Sequence, residues 1–417
     1  MKAIILASGK GTRLLPITET RPKHMIPIGD KPLLEHLINS IVTSGINDIL
    51  IIVGYKKEMI QNYFQDGKNF NTHIEYAVQS KALGTGHAVK IVEEYVGSKD
   101  FLVVNGDLLI TQNAIESILE SYRKKPGSII MGVTKVDCIA RYGVVLLKEK
   151  RVVELIEKPI KRKALSNFIN AGIYIFNDKI YEALEKIKKS KRKELELTDA
   201  IRCLIKNGEE IKGVIIDSKD WLDVGYPWDL LEANKRVLLK LKHEVLGTVE
   251  DNVKINGPVL VHENAKIKSG SYIIGPIIIG DGSIIGPNTY IRPYTSIGKN
   301  VRIGSSCEVK NSIIMDDSKI PHLSYVGDSI IGVGCNLGAG TITANIRLDE
   351  SSIKLRISNK TVNSKIKKLG VIMGDYVKTG INVSIMPGVR IGSRAWIGPS
   401  ITIYKDVPKK AKILKYH

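Results

Sequence analysis

The chain has 417 residues, 43% of them hydrophobic, and a formal net charge of +19. That length allows two or three domains with a sizeable core, and that apolar content excludes a disordered chain. No stretch approaches the ~20 consecutive apolar residues of a membrane span, so no membrane partner is expected.

The positive charge is spread along the chain, with local knots in "KPIKRK" and "KKSKRK". No zinc finger and no RNA-binding sheet motif accompanies it, so nucleic acid is not expected as a partner and phosphorylated substrates account for the charge. Cys138, Cys203, Cys307 and Cys335 are widely spaced with no CxxC pair, which reads as ordinary packed thiols. The opening "MKAIILASGKG" has an apolar run too short for a signal peptide and no cleavage site; it reads as a buried strand, and a cytoplasmic location is expected.

Up to about residue 245 the chain alternates strand and helix patterns. "KAIILA", "DILIIVGY", "IEYAVQ" and "FLVVNGD" are short apolar runs, as expected of strands buried on both faces. "KPLLEHLINSIVTSG" and "GTGHAVKIVEEYV" repeat their apolar residues at three and four, a helical period. Such alternation predicts a mostly parallel sheet wrapped by helices, with ligands at the carboxyl ends of the strands. The stretch "LASGKGTRLLPITETRPK" sits there, after the first strand. Its Gly9 and Gly11 let backbone N–H groups approach phosphate oxygens with no Cβ in the way. Arg13 and Lys23 can neutralise a triphosphate. The spacing is neither that of an ATPase loop nor that of a dinucleotide fold. Asp107 in "NGDLL" lies at a predicted strand end, where a carboxylate can hold Mg²⁺, and Asp223 in "WLDVG" is a second carboxylate; each alone also suits a turn or cap.

Residues 227 to 246 look like a connecting helix. From Val249 the period becomes six: Val249, Ile255, Val261, Ile267, Ile273, Ile279, Ile285, Ile291, Ile297, Ile303, Val309 and Met315 follow at every sixth position. The frame slips near Pro321, resumes at Ile331 and Leu337, and returns at Ile385, Ile391, Ile397 and Ile403. This is a hexapeptide repeat, predicting a parallel β-helix with one aliphatic residue per hexapeptide inside. Residues 346 to 368 leave the period and read as an excursion from the coil. The expected organisation is a nucleotide-binding domain over 1–228, a linker helix over 229–247 and a β-helix domain over 248–417.

The first stretch resembles the signature of sugar-1-phosphate nucleotidylyltransferases, and its "L-x-P-x-T…P-K" form is most similar to glucose-1-phosphate thymidylyltransferases. "KPLLEH", "ALGTGHA", "NGD", "YGVV", "EKP", "NAGIY" and "WLDVG" follow in the family's order over residues 1 to about 230. Ser8 and His24 depart from the usual pattern. The resemblance implies a Rossmann-like nucleotidyltransferase fold and attack of a sugar-1-phosphate oxygen on the α-phosphorus of UTP or dTTP. By matched motif, Arg13 and Lys23 hold the triphosphate, Gly9 and Gly11 line it, and Asp107 and Asp223 bind Mg²⁺. Gln79 and Gly84 read the pyrimidine; Gly143, Glu157 and Asn170 hydrogen-bond the sugar; Lys158 takes its phosphate.

The second half resembles the acetyltransferase half of the bacterial bifunctional enzymes that make UDP-N-acetylglucosamine, through "RP…EVK…HLSYVGD…N-x-GAGT". A left-handed β-helix, a homotrimer with clefts between neighbouring β-helices, and acetyl-CoA as co-substrate are implied. His322 is implied as the general base for the amine of glucosamine 1-phosphate, a role that suits imidazole chemistry. Arg292 and Lys310 are implied for the sugar phosphate; Tyr325, Asn336 and Asn345 for the sugar; Ala339 and Thr379 for coenzyme A. Ile346 and Ser351 stand where the bacterial family has tyrosine and lysine, which leaves galactosamine 1-phosphate open as a second acceptor. Two rival readings remain: a nucleotidyltransferase alone with the β-helix as a trimerising or regulatory module, or a binding subunit without catalysis.

Overall fold

The computed structural model describes residues 1–81, 83–136, 139–157, 166–190, 193–358 and 360–414, residue 140 by its backbone alone. The chain forms two compact units, one of Met1–Lys10 with Leu33–Asp223 and one of Gly11–Pro32 with Val224–His417.

The four apolar runs of the first unit are strands β1 (Lys2–Ala7), then, beyond β2 (Pro27–Ile28) and β3 (Lys31–Pro32), β4 (Asp48–Val53), β5 (His73–Val78) and β6 (Phe101–Asn105). The helical patterns are α1 (Leu33–Thr43) and α3 (Thr85–Val96), with α2 (Lys57–Phe64) between β4 and β5. Strands β5-β4-β1-β6 lie side by side and parallel. Their aliphatic runs are buried on both faces, as Ile4, Ile5, Leu50 and Ile51 show, each such side chain contributing about 1.5–3 kcal/mol.

The chain continues through β7 (Leu108–Ile110), α4 (Gln112–Arg123), β8 (Ile129–Lys135), β9 (Gly143–Lys148), β10 (Arg151–Glu157) and β11 (Phe168–Phe176). It then forms α5 (Lys179–Lys186), α6 (Leu197–Lys206), β12 (Ile211–Ile216) and β13 (Trp221–Asp223). The long β11 runs antiparallel to both β6 and β8, which extends the parallel half into a nine-stranded sheet of order β5-β4-β1-β6-β11-β8-β12-β10-β9. A separate two-stranded ribbon pairs β13 with β7.

The second unit opens with α7 (Pro227–Leu238). The helix is shorter than its pattern suggested. Its apolar face ends at Leu238, and Glu244–Val245 already pairs in parallel with the strand Val259–Val261. From there the chain coils into three parallel ladders, one of eight strands beginning at Glu244, one of eight beginning at Lys254, and a third that starts with five from Thr248. Single bridges at Asn336 join the third ladder to three further strands near the carboxyl end. Residues eighteen apart stack, as Ile279 on Ile297 and Ile291 on Val309. The sixth-position aliphatics from Ile267 to Ile303 are fully buried in one continuous interior. Many corners place asparagine at positive φ, among them Asn252, Asn288 and Asn300, a conformation asparagine tolerates better than most residues.

The structure corrects the frame. One residue is lost before Ile314, ahead of Pro321, and a second between Val326 and Ile331: Ile297 stacks on Ile314 and Ile314 on Ile331, and Ile314 takes the interior place that strict counting gives to Met315. Met315 is buried outside the interior, where its sulfur accepts a hydrogen bond from Arg21 at 2.9 Å. His322, which follows the Pro321 where the frame was expected to slip, closes a regular strand, Lys319–His322, with Ser305 stacked beneath it. The excursion after residue 346 carries an antiparallel hairpin of Lys354–Ile357 with Lys360–Asn363. Cys307 and Cys335 are buried thiols; burial pushes both up, Cys335 to about 12. Cys138 lies outside the described residues.

Residues 11–32 belong to this second unit. Gly29 N–H donates to the Asn234 side chain of α7 at 2.8 Å, and Asn234 in turn donates to the Tyr294 carbonyl at 3.0 Å. His262 lies 3.2 Å from the Asp30 carboxylate.

Two candidate active sites

In the first unit, the register of the β7–β13 ribbon sets Asp223 opposite Leu108, so Asp107 is the immediate neighbour of Asp223's cross-strand partner. Adjacent strands lie ~5 Å apart. Two carboxylates ending one ribbon make a hard oxygen donor set, the chemistry a divalent cation such as Mg²⁺ requires. The ribbon is held to the sheet by the buried Trp221, whose indole N–H donates to the Ala171 carbonyl at 2.7 Å.

A second polar group forms where β9, β10 and β11 meet. Gly143 pairs directly with Glu157, and a Cβ at Gly143 would come within 3.2 Å of the Glu157 carboxylate and 3.8 Å of Asn170. Asn170 donates to the Tyr174 hydroxyl at 2.6 Å and accepts the Gly172 N–H at 2.9 Å. Burial pushes the Tyr174 phenol far up, so it stays a neutral hydrogen-bonding partner. Gly172 has φ of 72°, and a side chain there would meet the Asn105 amide at 2.4 Å; glycine is required twice over. Lys158 lies outside the described residues.

Gln79 is buried beyond the end of β5. Its amide oxygen accepts from the Ser8 hydroxyl, and its amide nitrogen contacts the Gly84 carbonyl at 3.0 Å and His87 Nδ1 at 3.1 Å. Burial, then the nearby Lys90, lowers the His87 pKa. The unusual Ser8 is therefore a direct partner of Gln79. Gly84, at φ of 97°, caps α3, and a Cβ there would come within 2.5 Å of the Leu195 carbonyl oxygen.

In the second unit, three short turns, Thr12–Leu14, Ile17–Glu19 and Lys23–Met25, shape the glycine-rich loop. Gly9 precedes them at an open position in the first unit. Gly11 has φ of 62° and packs against the stem of Lys23, while its carbonyl accepts the Thr18 hydroxyl at 2.9 Å. Arg13 stacks over the Tyr226 ring at 5.0 Å, with Gly225 beside its guanidinium. Tyr226 is itself stacked on Trp228 at 4.7 Å. The aromatic shelf under Arg13 was not singled out from sequence; its signal was the "YPW" that follows "WLDVG".

Further along the β-helix, the ladder that carries Tyr290, Glu308 and Tyr325 stacks them in successive coils. Arg292 and Lys310 leave that ladder at the same corner, one coil apart, spaced as neighbouring strands are. Arg292 pairs with Glu308 at 2.8 Å, which raises its pKa. Lys310 reaches Asp328 at 3.4 Å. Asp328 also accepts from the side chains of Asn311, at 2.6 Å, and of Asn345. Asn345 donates to the Tyr325 hydroxyl at 3.1 Å. Burial, then the charges of Asp328 and Glu308, raises the Tyr325 pKa. So three expected residues, Lys310, Tyr325 and Asn345, gather around the buried carboxylate of Asp328, while Arg292 is held beside them by Glu308. Asp328 was visible in "YVGD" but was given no role.

His322 and Asn336 are exposed on the neighbouring ladder. Among the described residues, no hydrogen bond links the His322 imidazole to the Asp328 group. Ala339 lies on the next corner, its carbonyl accepting the Asn382 N–H at 2.8 Å. Thr379 takes an interior position; its buried hydroxyl accepts the Gly338 N–H and meets the Thr341 hydroxyl, both at 2.9 Å. No helix among the described residues is long and apolar enough to cross a membrane.

The nucleotidyl transferase family model matches residues 2–240, and the model of the GMPPB C-terminal domain matches residues 273–382. The chain is 49% identical to the bifunctional protein GlmU of Methanocaldococcus jannaschii, over 100% of this chain and 98% of that protein. It is 45% identical to a bifunctional sugar-1-phosphate nucleotidylyltransferase/acetyltransferase of Sulfurisphaera tokodaii, over 98% of each. A glucose-1-phosphate thymidylyltransferase of Streptomyces antibioticus is 38% identical over 80% of this chain and 92% of that protein. Among solved structures, a UDP-glucose pyrophosphorylase complexed with UDP-glucose matches 57% of this chain and 98% of its own, at a TM-score of 0.52 and 28% identity. With a nucleotidyltransferase fold followed by a parallel β-helix, and relatives of both activities matched end to end, the chain belongs to the bifunctional sugar-1-phosphate nucleotidylyltransferase/acetyltransferase family.

Proposed function

We propose that the protein acetylates glucosamine 1-phosphate with acetyl-CoA, accepts galactosamine 1-phosphate as well, and transfers UMP or dTMP from UTP or dTTP to a sugar 1-phosphate with release of pyrophosphate. In the transfer step the sugar phosphate oxygen attacks the α-phosphorus, and the Pα–O bond to pyrophosphate breaks. No protein nucleophile is needed; positioning and charge neutralisation carry the rate. Arg13 and Lys23 hold the triphosphate above the glycine loop. Gln79 and Gly84 read the base, Gly143, Glu157 and Asn170 hold the sugar, and Lys158 takes its phosphate. Asp107 and Asp223 would hold Mg²⁺, which when bound supplies charge against the developing negative charge.

In the acetylation step His322 takes a proton from the amine, the amine nitrogen bonds to the acetyl carbon, and the coenzyme A thiolate leaves. Arg292 and Lys310 take the sugar phosphate, and Tyr325, Asn336 and Asn345 orient the ring. Ala339 approaches coenzyme A, and Thr379 shapes the wall behind it. The acting form is a homotrimer with domains 1–228 and 248–417, in which His322 and the Asp328 group meet across neighbouring β-helices.

What supports the reading most is the ribbon register that sets Asp107 beside the partner of Asp223, together with the charged group gathered on Asp328. The test is an assay of purified protein with acetyl-CoA, amino-sugar phosphates and a panel of nucleoside triphosphates. Both thiol and pyrophosphate release are expected. Pyrophosphate release alone would reduce the β-helix to a structural module, and neither would refute the proposal.

A further inference from the structure

The β-helix holds more than its own site. We infer that a buried Arg21–Asp375 ion pair, with a Glu19–Ser393 hydrogen bond beside it, is a positioning clamp by which the β-helix fixes the phosphate-binding loop for nucleotidyl transfer. The inference rests on the reading that Arg13 and Lys23 hold the triphosphate.

The loop of residues 11–32 follows β1 in the chain, yet it packs as part of the β-helix unit. Arg21 is only 7% exposed. Its guanidinium donates to the Asp375 carboxylate and, at 2.9 Å, to the Met315 sulfur. The other Asp375 oxygen accepts the Val333 N–H at 2.9 Å, and the Asp375 N–H donates to the Ser393 hydroxyl at 3.1 Å. The Ser393 N–H then donates to the Glu19 carboxylate at 2.9 Å. Two successive coil corners thus grip two loop residues through one connected network.

The grip reaches the phosphate-binding side chains by short, stiff links. Arg21 and Lys23 are separated by Pro22 alone, whose ring fixes its backbone at φ of −70°. Lys23 packs against Gly11, and Thr18 bonds the Gly11 carbonyl, so the two ends of the loop close on each other. Outward positions on the ladder beneath are also buried, as Ile278, Ser296, Ile313, Ile330 and Ile372 show, each at 1% or less. Outward Tyr272, Ile342 and Trp396 on the other ladders are 39–46% exposed. An apolar contact would have sufficed for adhesion. A paired guanidinium and carboxylate tolerate far fewer geometries and so fix register.

The test uses the full chain. Asp375→Asn removes the charge and keeps a carbonyl oxygen for Val333. We expect kcat/KM for the nucleoside triphosphate to fall about 10- to 100-fold, with its KM raised and kcat lowered together. The KM for sugar 1-phosphate and the rate of acetyl transfer should stay within about twofold. Arg21→Met should behave alike, and the double variant should be no worse than the worse single, as for residues acting as a unit. Wild-type kinetics in Asp375→Asn would overturn the clamp. So would a lowered kcat with every KM fixed and acetyl transfer falling in proportion, which is loss of folded protein. Full nucleotidyl transfer in Lys23→Ala would instead overturn the assignment of the loop, and the clamp with it.

Discussion

Asp328 shows how much a residue's role depends on what surrounds it. Its carboxylate is 4% exposed and holds one ammonium and two side-chain amides. A buried charge is tolerated only when so satisfied. Asp328→Asn should lower kcat/KM for acetyl transfer by about tenfold or more, the scale of one charge-assisted hydrogen bond. Nucleotidyl transfer on the same sample serves as the control, and unchanged acetyl transfer would mean that Asp328 positions nothing. The charged residues around it were legible because basic side chains and motif spacing advertise anion binding. Asp328 was not, because a "GD" pair reads equally well as a turn. The Ser8–Gln79 hydrogen bond was hidden for another reason: its partners are 71 residues apart, and only the parallel sheet joins them.

At the scale of elements, periodicity carried the fold. Strands buried on both faces and the six-residue repeat are direct consequences of which positions must be apolar, so β1, β4, β5 and β6 and the β-helix interior were readable. The lost residue before Ile314 was not. Ile313, Ile314 and Met315 are all apolar and all buried, so counting could not tell interior from covered exterior. The β7–β13 ribbon also escaped, since three-residue strands leave no period. Gly172 tests the packing of β11: Gly172→Ala meets both positive φ and the Asn105 amide. A loss of about 1–3 kcal/mol in stability is expected, measured by thermal unfolding, along with a raised KM for sugar 1-phosphate as Asn170 shifts. An unperturbed melting temperature would contradict the close approach seen there.

At the scale of the whole molecule, the family carries two chemistries on one chain, and the proposed catalytic residues of each fall in different stretches of sequence. The two reactions should therefore fail independently. Asp107→Asn should abolish pyrophosphate release and leave thiol release from acetyl-CoA intact. His322→Ala should lower thiol release by about 10²–10⁴-fold, the contribution of a positioned acid–base group, and leave pyrophosphate release intact. The proposed trimer should survive both, because neither side chain belongs to the β-helix interior. The decisive measurement follows pyrophosphate and thiol release side by side on wild type and these two variants. Reciprocal loss, one activity per variant, is the predicted result; loss of both activities in either variant, or of neither, would contradict the account.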